Sequence, residues 1–266
     1  MERWRHIFST LALAFALAMP GWSQYHVNRV VIDAGHGGKD PGAMGAHSRE
    51  KDIALAIALK TGEYITKYLP DVEVIYTRKT DVFVELYKRA EIANDAKASL
   101  FISIHCNASK STAASGTETY VMGLHKSAAN LEVAKLENAA ILNEDNFADM
   151  YDGFNPNQDE DYITLTMFQN AFLEQSTILA DEIQRQFRER VKRKDRGVFQ
   201  AGFLVLYRTT MPGVLIETGF ISNPDDESFL MSEDGQAYIA SAIFRAFKYY
   251  KEEMERSDNK AEIVHD

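Results

Sequence analysis

The chain has 266 residues, with 29 basic against 39 acidic side chains and a formal net charge of −10 at neutral pH. A hydrophobic share of 45% with 11% aromatics can fill a sizeable core, which excludes a mostly disordered chain. The acidic balance argues against a nucleic-acid partner, and the single cysteine, Cys106, excludes an intrachain disulfide or a cysteine-based metal cluster.

Residues 1–23 read as a cleavable export signal. Arg3 and Arg5 precede a 13-residue, largely apolar run from Ile7 to Met19, and Gly21 and Ser23 place small residues at −3 and −1 of a cut. The run is too short for the ~20 apolar residues of a membrane span. The expectation is an exported, soluble chain with no transmembrane segment.

Beyond it, short apolar runs alternate with helical patterns. RVVIDAG (29–35), VEVIYT (72–77), SLFISIH (99–105), TETYVM (117–122), LVLY (204–207) and GVLIETG (213–219) read as strands. Glu50–Leu69, Leu86–Ala96, Gln169–Arg190 and Tyr238–Met254 read as helices, the first stopped by Pro70. Strands separated by helices predict an α/β layer architecture with a largely parallel sheet. Two stretches break the pattern. One is an acidic, partly helical insertion over 126–168, with a helix at Ser127–Asn143. The other is a charged tail, 255–266, expected to fray.

The chemistry concentrates at strand ends. The first strand runs into DAGHGGKDPGAMG, whose glycines 35, 37, 38 and 42 let the backbone turn sharply around His36. This run lacks both the third glycine of a dinucleotide loop and the G-K-[ST] ending of a phosphate loop. A second strand ends at His105, and Glu50 opens the first helix, where a carboxylate is also favoured by the helix terminus alone. His36, Glu50 and His105 together supply the two nitrogens and one carboxylate of a catalytic zinc with an open fourth position. Each taken singly is better explained as structural; the set together points to a metal. Glu217 lies inside an apolar strand, where it is either an ion-paired core residue or a general acid or base.

IDAGHGG, the glutamate 14 residues after that histidine, TRKTDVFVELYKRAEIAN, SIHCNA, GTETYVM and VLIETGFISN stand in the order seen in zinc-dependent N-acetylmuramoyl-L-alanine amidases of the amidase-3 family. The chain resembles that family over about residues 28–252, which implies an α/β, three-layer single domain over 28–252 with a mixed, mostly parallel sheet flanked by helices. The resemblance implies one zinc ion per chain, held by His36, Glu50 and His105, with Glu217 as the catalytic carboxylate. It implies hydrolysis of the amide joining N-acetylmuramic acid to L-alanine in peptidoglycan during wall remodelling or daughter-cell separation. The alternatives are a zinc carboxypeptidase or endopeptidase acting on stem peptides, or a noncatalytic zinc-binding wall module. Asn107 and Arg78 are candidate supporting or substrate contacts, although Arg78 and Arg89 are better explained as pairing with acids such as Asp81. Cys106 is expected to be buried packing, because it points away from the His105 face.

The insertion resembles that of a cell-division subgroup in which a helix covers the zinc and a glutamate fills the open position. Glu137 is favoured for that role, with Glu132 and Glu144 as alternatives; a solvated acidic loop is the competing reading. The subgroup implies periplasmic residence and a LytM-type activator protein, and a monomer is expected. Between Leu131 and Asp161, nine acids face Lys135 alone, a local net of −8, so most of the chain's acidity belongs to this segment.

Overall fold

The computed structural model describes residues 26–145, 147–166 and 171–264, with side chains described as far as Ser257 apart from Thr166. The expected export signal lies outside the described residues, as do Gln169 and Asn170, the start of one expected helix. No helix among the described residues is long and apolar enough to cross a membrane.

Six strands form one sheet: β1 (Arg29–Ala34), β2 (Glu73–Tyr76), β3 (Leu100–Asn107), β4 (Thr117–Met122), β5 (Asp195–Ala201) and β6 (Gly213–Phe220), in the order β2-β1-β3-β6-β4-β5. All neighbours run parallel except β4 against β6. The reversal puts the starts of β4 and β5 at the same edge as the ends of β1, β3 and β6. Functional side chains from five strands can therefore meet there.

The central strands read as continuous apolar runs because both faces are covered. Val30, Ile32, Ile102, Ile104, Val214 and Ile216 pack on one face against α1 (Glu50–Tyr68), α5 (Leu173–Gln186) and α7 (Glu233–Val264). Val31, Phe101, Leu215, Tyr120 and Met122 face the other way, towards α2 (Leu86–Asp95) and the insertion. Cys106 is fully buried in the first of these cores, on the side opposite His105.

The insertion forms α3 (Ala128–Asn138), a 3-10 turn over Ala139–Asn143 and, further on, α4 (Asp159–Thr166). Ser127 caps α3 by accepting from the Asn130 N–H at 3.2 Å. This segment is not a solvated loop. Its Leu131, Ala134, Ile141, Tyr151, Phe154, Tyr162 and Leu165 help build the second core, while its acids face outward for the most part. A further helix, α6 (Pro224–Met231), is capped by Asn223 after β6.

Several expectations are corrected. Leu204–Tyr207 is a single helical turn rather than a strand: three of its residues are consecutively buried, a pattern that cannot separate the two states. The edge strand β5 was not expected, because its half-exposed, polar-interrupted sequence carries little strand signal. The helix expected to end at Arg190 gives way to a π-turn over Phe187–Val191, closed by Lys192 in the left-handed conformation at φ 61°. α7 runs to Val264, and within it Glu255 accepts from the Val27 N–H at 3.1 Å and from Lys251 at 2.6 Å.

Candidate metal centre and active site

The loop after β1 is held from behind. Gly35 N–H donates to the Ile104 carbonyl at 3.0 Å, and Gly37 and Asp40 exchange backbone hydrogen bonds. Arg78, 3% exposed, donates to the carbonyls of Ala34, Gly35, Lys51 and Thr80. Arg89, 1% exposed, donates to the carbonyls of Val84, Ala34 and His36 and pairs with Asp33 at 2.7 Å. Arg78 is thus committed to scaffolding through these four carbonyls, and the partner of Asp81 is Lys51. Together these cations clamp the loop so that His36 sits at φ 57°, a left-handed conformation that costs energy for a residue with a Cβ.

Four side chains converge at this edge. His36 Nε2 lies 3.1 Å from Glu50 Oε2 and 3.1 Å from Glu137 Oε2. His105 Nδ1 lies 2.9 Å from Glu50 Oε1 and 2.7 Å from Glu137 Oε2. All four are buried, and their ligand atoms lie within 4.8 Å of one another. Glu50 is oriented by the N–H groups of Ala43 and Cys106, at 2.8 and 3.0 Å. Of the three glutamates considered in the insertion, only Glu137 reaches the cluster. Glu132 is 71% exposed and faces Lys135, because it lies on the outer side of α3. Glu144 accepts instead from the Leu86 N–H and the Tyr151 hydroxyl, at the start of α2.

The electrostatics follow from two buried carboxylates against two imidazoles. Burial pulls His105 down, but Glu137 and Glu50 outweigh it and lift it to about 9. Burial likewise opposes protonation of His36, yet Glu50, Asp40 and Glu137 hold it well above the ordinary histidine value. Burial pushes Glu50 up, and the two histidines reverse this and hold it below the carboxylate range. Such a set suits a divalent cation that takes the place of the protons. Two imidazole nitrogens and a carboxylate match zinc, and Glu137 supplies a fourth position. Glu217 stands beside it, paired in register with His105 and fully buried, and neither of its oxygens meets a hydrogen-bond donor among the described residues. Burial, then Glu137, Glu50 and Glu118, push its carboxyl well above the usual range.

A family model described as N-acetylmuramoyl-L-alanine amidase matches residues 30–249. The chain belongs to this family. It is 34% identical over 218 residues to N-acetylmuramoyl-L-alanine amidase AmiA of Escherichia coli K12, a match covering 80% of this chain and 73% of AmiA. It is also 34% identical over 230 residues to N-acetylmuramoyl-L-alanine amidase AmiC of another Escherichia coli strain, covering 83% of this chain but spanning only 52% of AmiC. Among solved structures, the catalytic domain of the N-acetylmuramoyl-L-alanine amidase CwlV from Bacillus (Paenibacillus) polymyxa superposes with a TM-score of 0.62 at 34% identity, covering 84% of this chain and 97% of that one.

The amidase fold also uses residues that sequence reading passed over. Asp40 Oδ2 lies 2.8 Å from His36 Nδ1, which fixes the ring so that Nε2 faces the cluster. Its signal was a carboxylate four residues after a loop histidine. Gly35 leaves room for the His105 ring, which would lie 2.4 Å from a Cβ built there. A Cβ at Gly42 would meet the His36 ring at 2.5 Å and Glu50 at 2.6 Å. Both glycines are packing requirements of the site, legible in the sequence only as turn residues. His47, at the surface, lies outside the cluster.

Proposed function

We propose that this chain is a zinc-dependent hydrolase of the amide bond between N-acetylmuramic acid and L-alanine in peptidoglycan, freeing whole stem peptides from the glycan. The observation that carries the reading is a buried His36–Glu50–His105 set beside a buried glutamate, Glu217, whose oxygens lack a donor. His36 Nε2, His105 Nδ1 and Glu50 would hold the ion. Zinc, when bound, polarises the scissile carbonyl and lowers the pKa of water. Glu217 takes a proton from the attacking water as the new C–O bond forms, and delivers it to the departing L-alanine nitrogen as the C–N bond breaks.

Glu137 makes this an autoinhibited state. Its carboxylate occupies the fourth position that catalysis requires, and α3 lies over the site. Activation then means moving α3, and a LytM-type activator binding the insertion would shift the population towards the open state. The expected export signal would place the enzyme in the periplasm, at its substrate.

The test is digestion of purified peptidoglycan by zinc-loaded protein, with Glu217→Ala as control. Intact glycan and complete stem peptides, lost in the variant while fold and zinc content persist, support the reading. Products cut within the stem peptide, or an active Glu217→Ala, overturn it.

A further inference from the structure

Glu217 is not the only buried acceptor left without a donor at this edge. Asn107 follows His105 on β3 across a register shift against β6, and its side chain reaches Glu118, whose register partner on β6 is Glu217, itself the register partner of His105. Asn107 is 1% exposed, and its Nδ2 donates to Glu118 Oε2 at 2.8 Å. Its Oδ1 has no partner among the described residues. Glu118 pairs in register with Glu217 across the antiparallel β4–β6 ladder. The Asn107–Glu118 hydrogen bond therefore crosses β6 beside Glu217.

The orientation of this amide is dictated by its partner. Glu118 receives three donors: Asn107 Nδ2, the Tyr120 hydroxyl at 2.9 Å and Arg196 Nε at 2.6 Å. A carboxylate paired to a guanidinium accepts and does not donate. The amide must turn its NH2 towards Glu118, because the flipped form would set two acceptors against each other. Glu118 thereby determines that Asn107 offers an acceptor, not a donor, on its remaining side.

Burying an unpaired acceptor is costly, so a ligand is expected to complete it. The other buried oxygens here without a donor, Glu137 Oε1 and both oxygens of Glu217, are carboxylates that a cation or water can satisfy. Asn107 Oδ1 is a neutral amide oxygen, whereas zinc takes its ligands from Cys, His and carboxylate groups. It suits an N–H. An amide substrate brings one N–H to the reacting centre, on the nitrogen that later departs.

We propose that Asn107 binds substrate by accepting a hydrogen bond from the scissile amide N–H at Oδ1, with Glu118 as the positioning residue that holds the side chain in that orientation. The inference rests on the amide hydrolysis proposed above and adds the residue that recognises the amide as an amide. With the N–H held on the Asn107 side, the nitrogen lone pair that forms as the carbonyl becomes tetrahedral is left free for the proton from Glu217. An ester of the same acyl group has no N–H and gains nothing from Asn107.

The experiment compares a muramyl–L-alanine amide with the matching muramyl–L-lactate ester, using zinc-loaded full-length protein carrying Glu137→Ala so that the fourth position is open. Asn107→Ala is expected to lower kcat/KM for the amide roughly 10- to 100-fold, as loss of a hydrogen bond to a buried group does, while the ester changes less than about threefold. In the non-cleaving Glu217→Ala protein, the same substitution should weaken equilibrium binding of the amide and leave the ester unchanged. Glu118→Gln, whose introduced amide permits Asn107 to flip, should show the same amide-only loss to a smaller degree, and it carries the test if Asn107→Ala does not fold. Equal losses on both substrates, or none on the amide, overturn the role of Asn107. A parent protein that cleaves neither substrate overturns the amidase reading itself, and this inference with it.

Discussion

Glu137 Oε2 lies 2.7 Å from His105 Nδ1, joining an insertion helix to the end of a central strand. With its 3.1 Å approach to His36 Nε2, this oxygen ties the part of the chain with the greatest excess of acid to the part with the most demanding chemistry. The insertion packs its apolar side into the second core, so this carboxylate is delivered by a folded element rather than a loose loop.

Glu137→Ala should raise basal amidase activity of the zinc-loaded protein by about 5- to 150-fold, the usual span of a coupling free energy between two states. Release of dye-labelled peptidoglycan fragments measures it. A rate equal to that of the parent would remove Glu137 as the brake. The point substitution is the cleaner test, because deleting residues 127–166 would also strip Leu131, Ile141 and Tyr162 from the core.

Asp40→Ala should weaken zinc binding about 10- to 100-fold, the usual effect of losing a carboxylate that orients a ligand histidine. Competition with a calibrated chelator reads the affinity. An unchanged affinity would show that His36 holds its orientation without Asp40.

Gly35→Ala should abolish zinc binding while the fold survives. The added Cβ would sit 2.4–2.7 Å from three atoms of the His105 ring, so the imidazole must leave its position. Metal analysis of the purified variant, beside its thermal unfolding curve, decides the matter: full occupancy would refute the packing argument.

Asp33 links acid sensitivity to the scaffold behind the site. Burial alone would raise its carboxyl, but Arg89, Ser103 and Thr77 outweigh burial and hold it below the ordinary value of 3.8. A folded-state pKa below the unfolded one contributes stability that is fully present above the unfolded value and is lost as pH falls through the folded one. Asp33→Asn should therefore destabilise the protein at neutral pH by about 3–5 kcal/mol, since Arg89 is left buried and unpaired. The variant should also lose less stability than the parent on acidification below about pH 4. Denaturant unfolding at neutral and acidic pH measures both effects. Parallel loss in parent and variant on acidification would show that Asp33 is not the titrating group.

Much of the arrangement is legible in the chain because its signals are local. β1, β3 and β6 announce themselves as apolar runs, since a strand covered on both faces needs no alternation. His36 and His105 stand at the ends of such runs, and Glu50 opens a helix, so strand and helix boundaries alone mark them as neighbours in an α/β fold. β5 and the turn at Leu204–Tyr207 were not legible. An edge strand is stabilised by the partner it pairs with, and a short apolar run is compatible with either state.

The sequence by itself determined the alternation of strands and helices, the order of the family's motifs, and the concentration of acid in one segment. Tertiary structure decided which acids act. Glu132, Glu137 and Glu144 lie within 13 residues of one another, yet α3 turns one outward to solvent, one into the histidine pair, and leaves the third at the start of α2. The same holds for Asn107, whose atom left without a donor is chosen by Glu118 from another strand. The reason is physical: composition and periodicity specify which residues must be buried, but the partner that a buried charge or amide meets depends on distant chain segments brought within hydrogen-bond range.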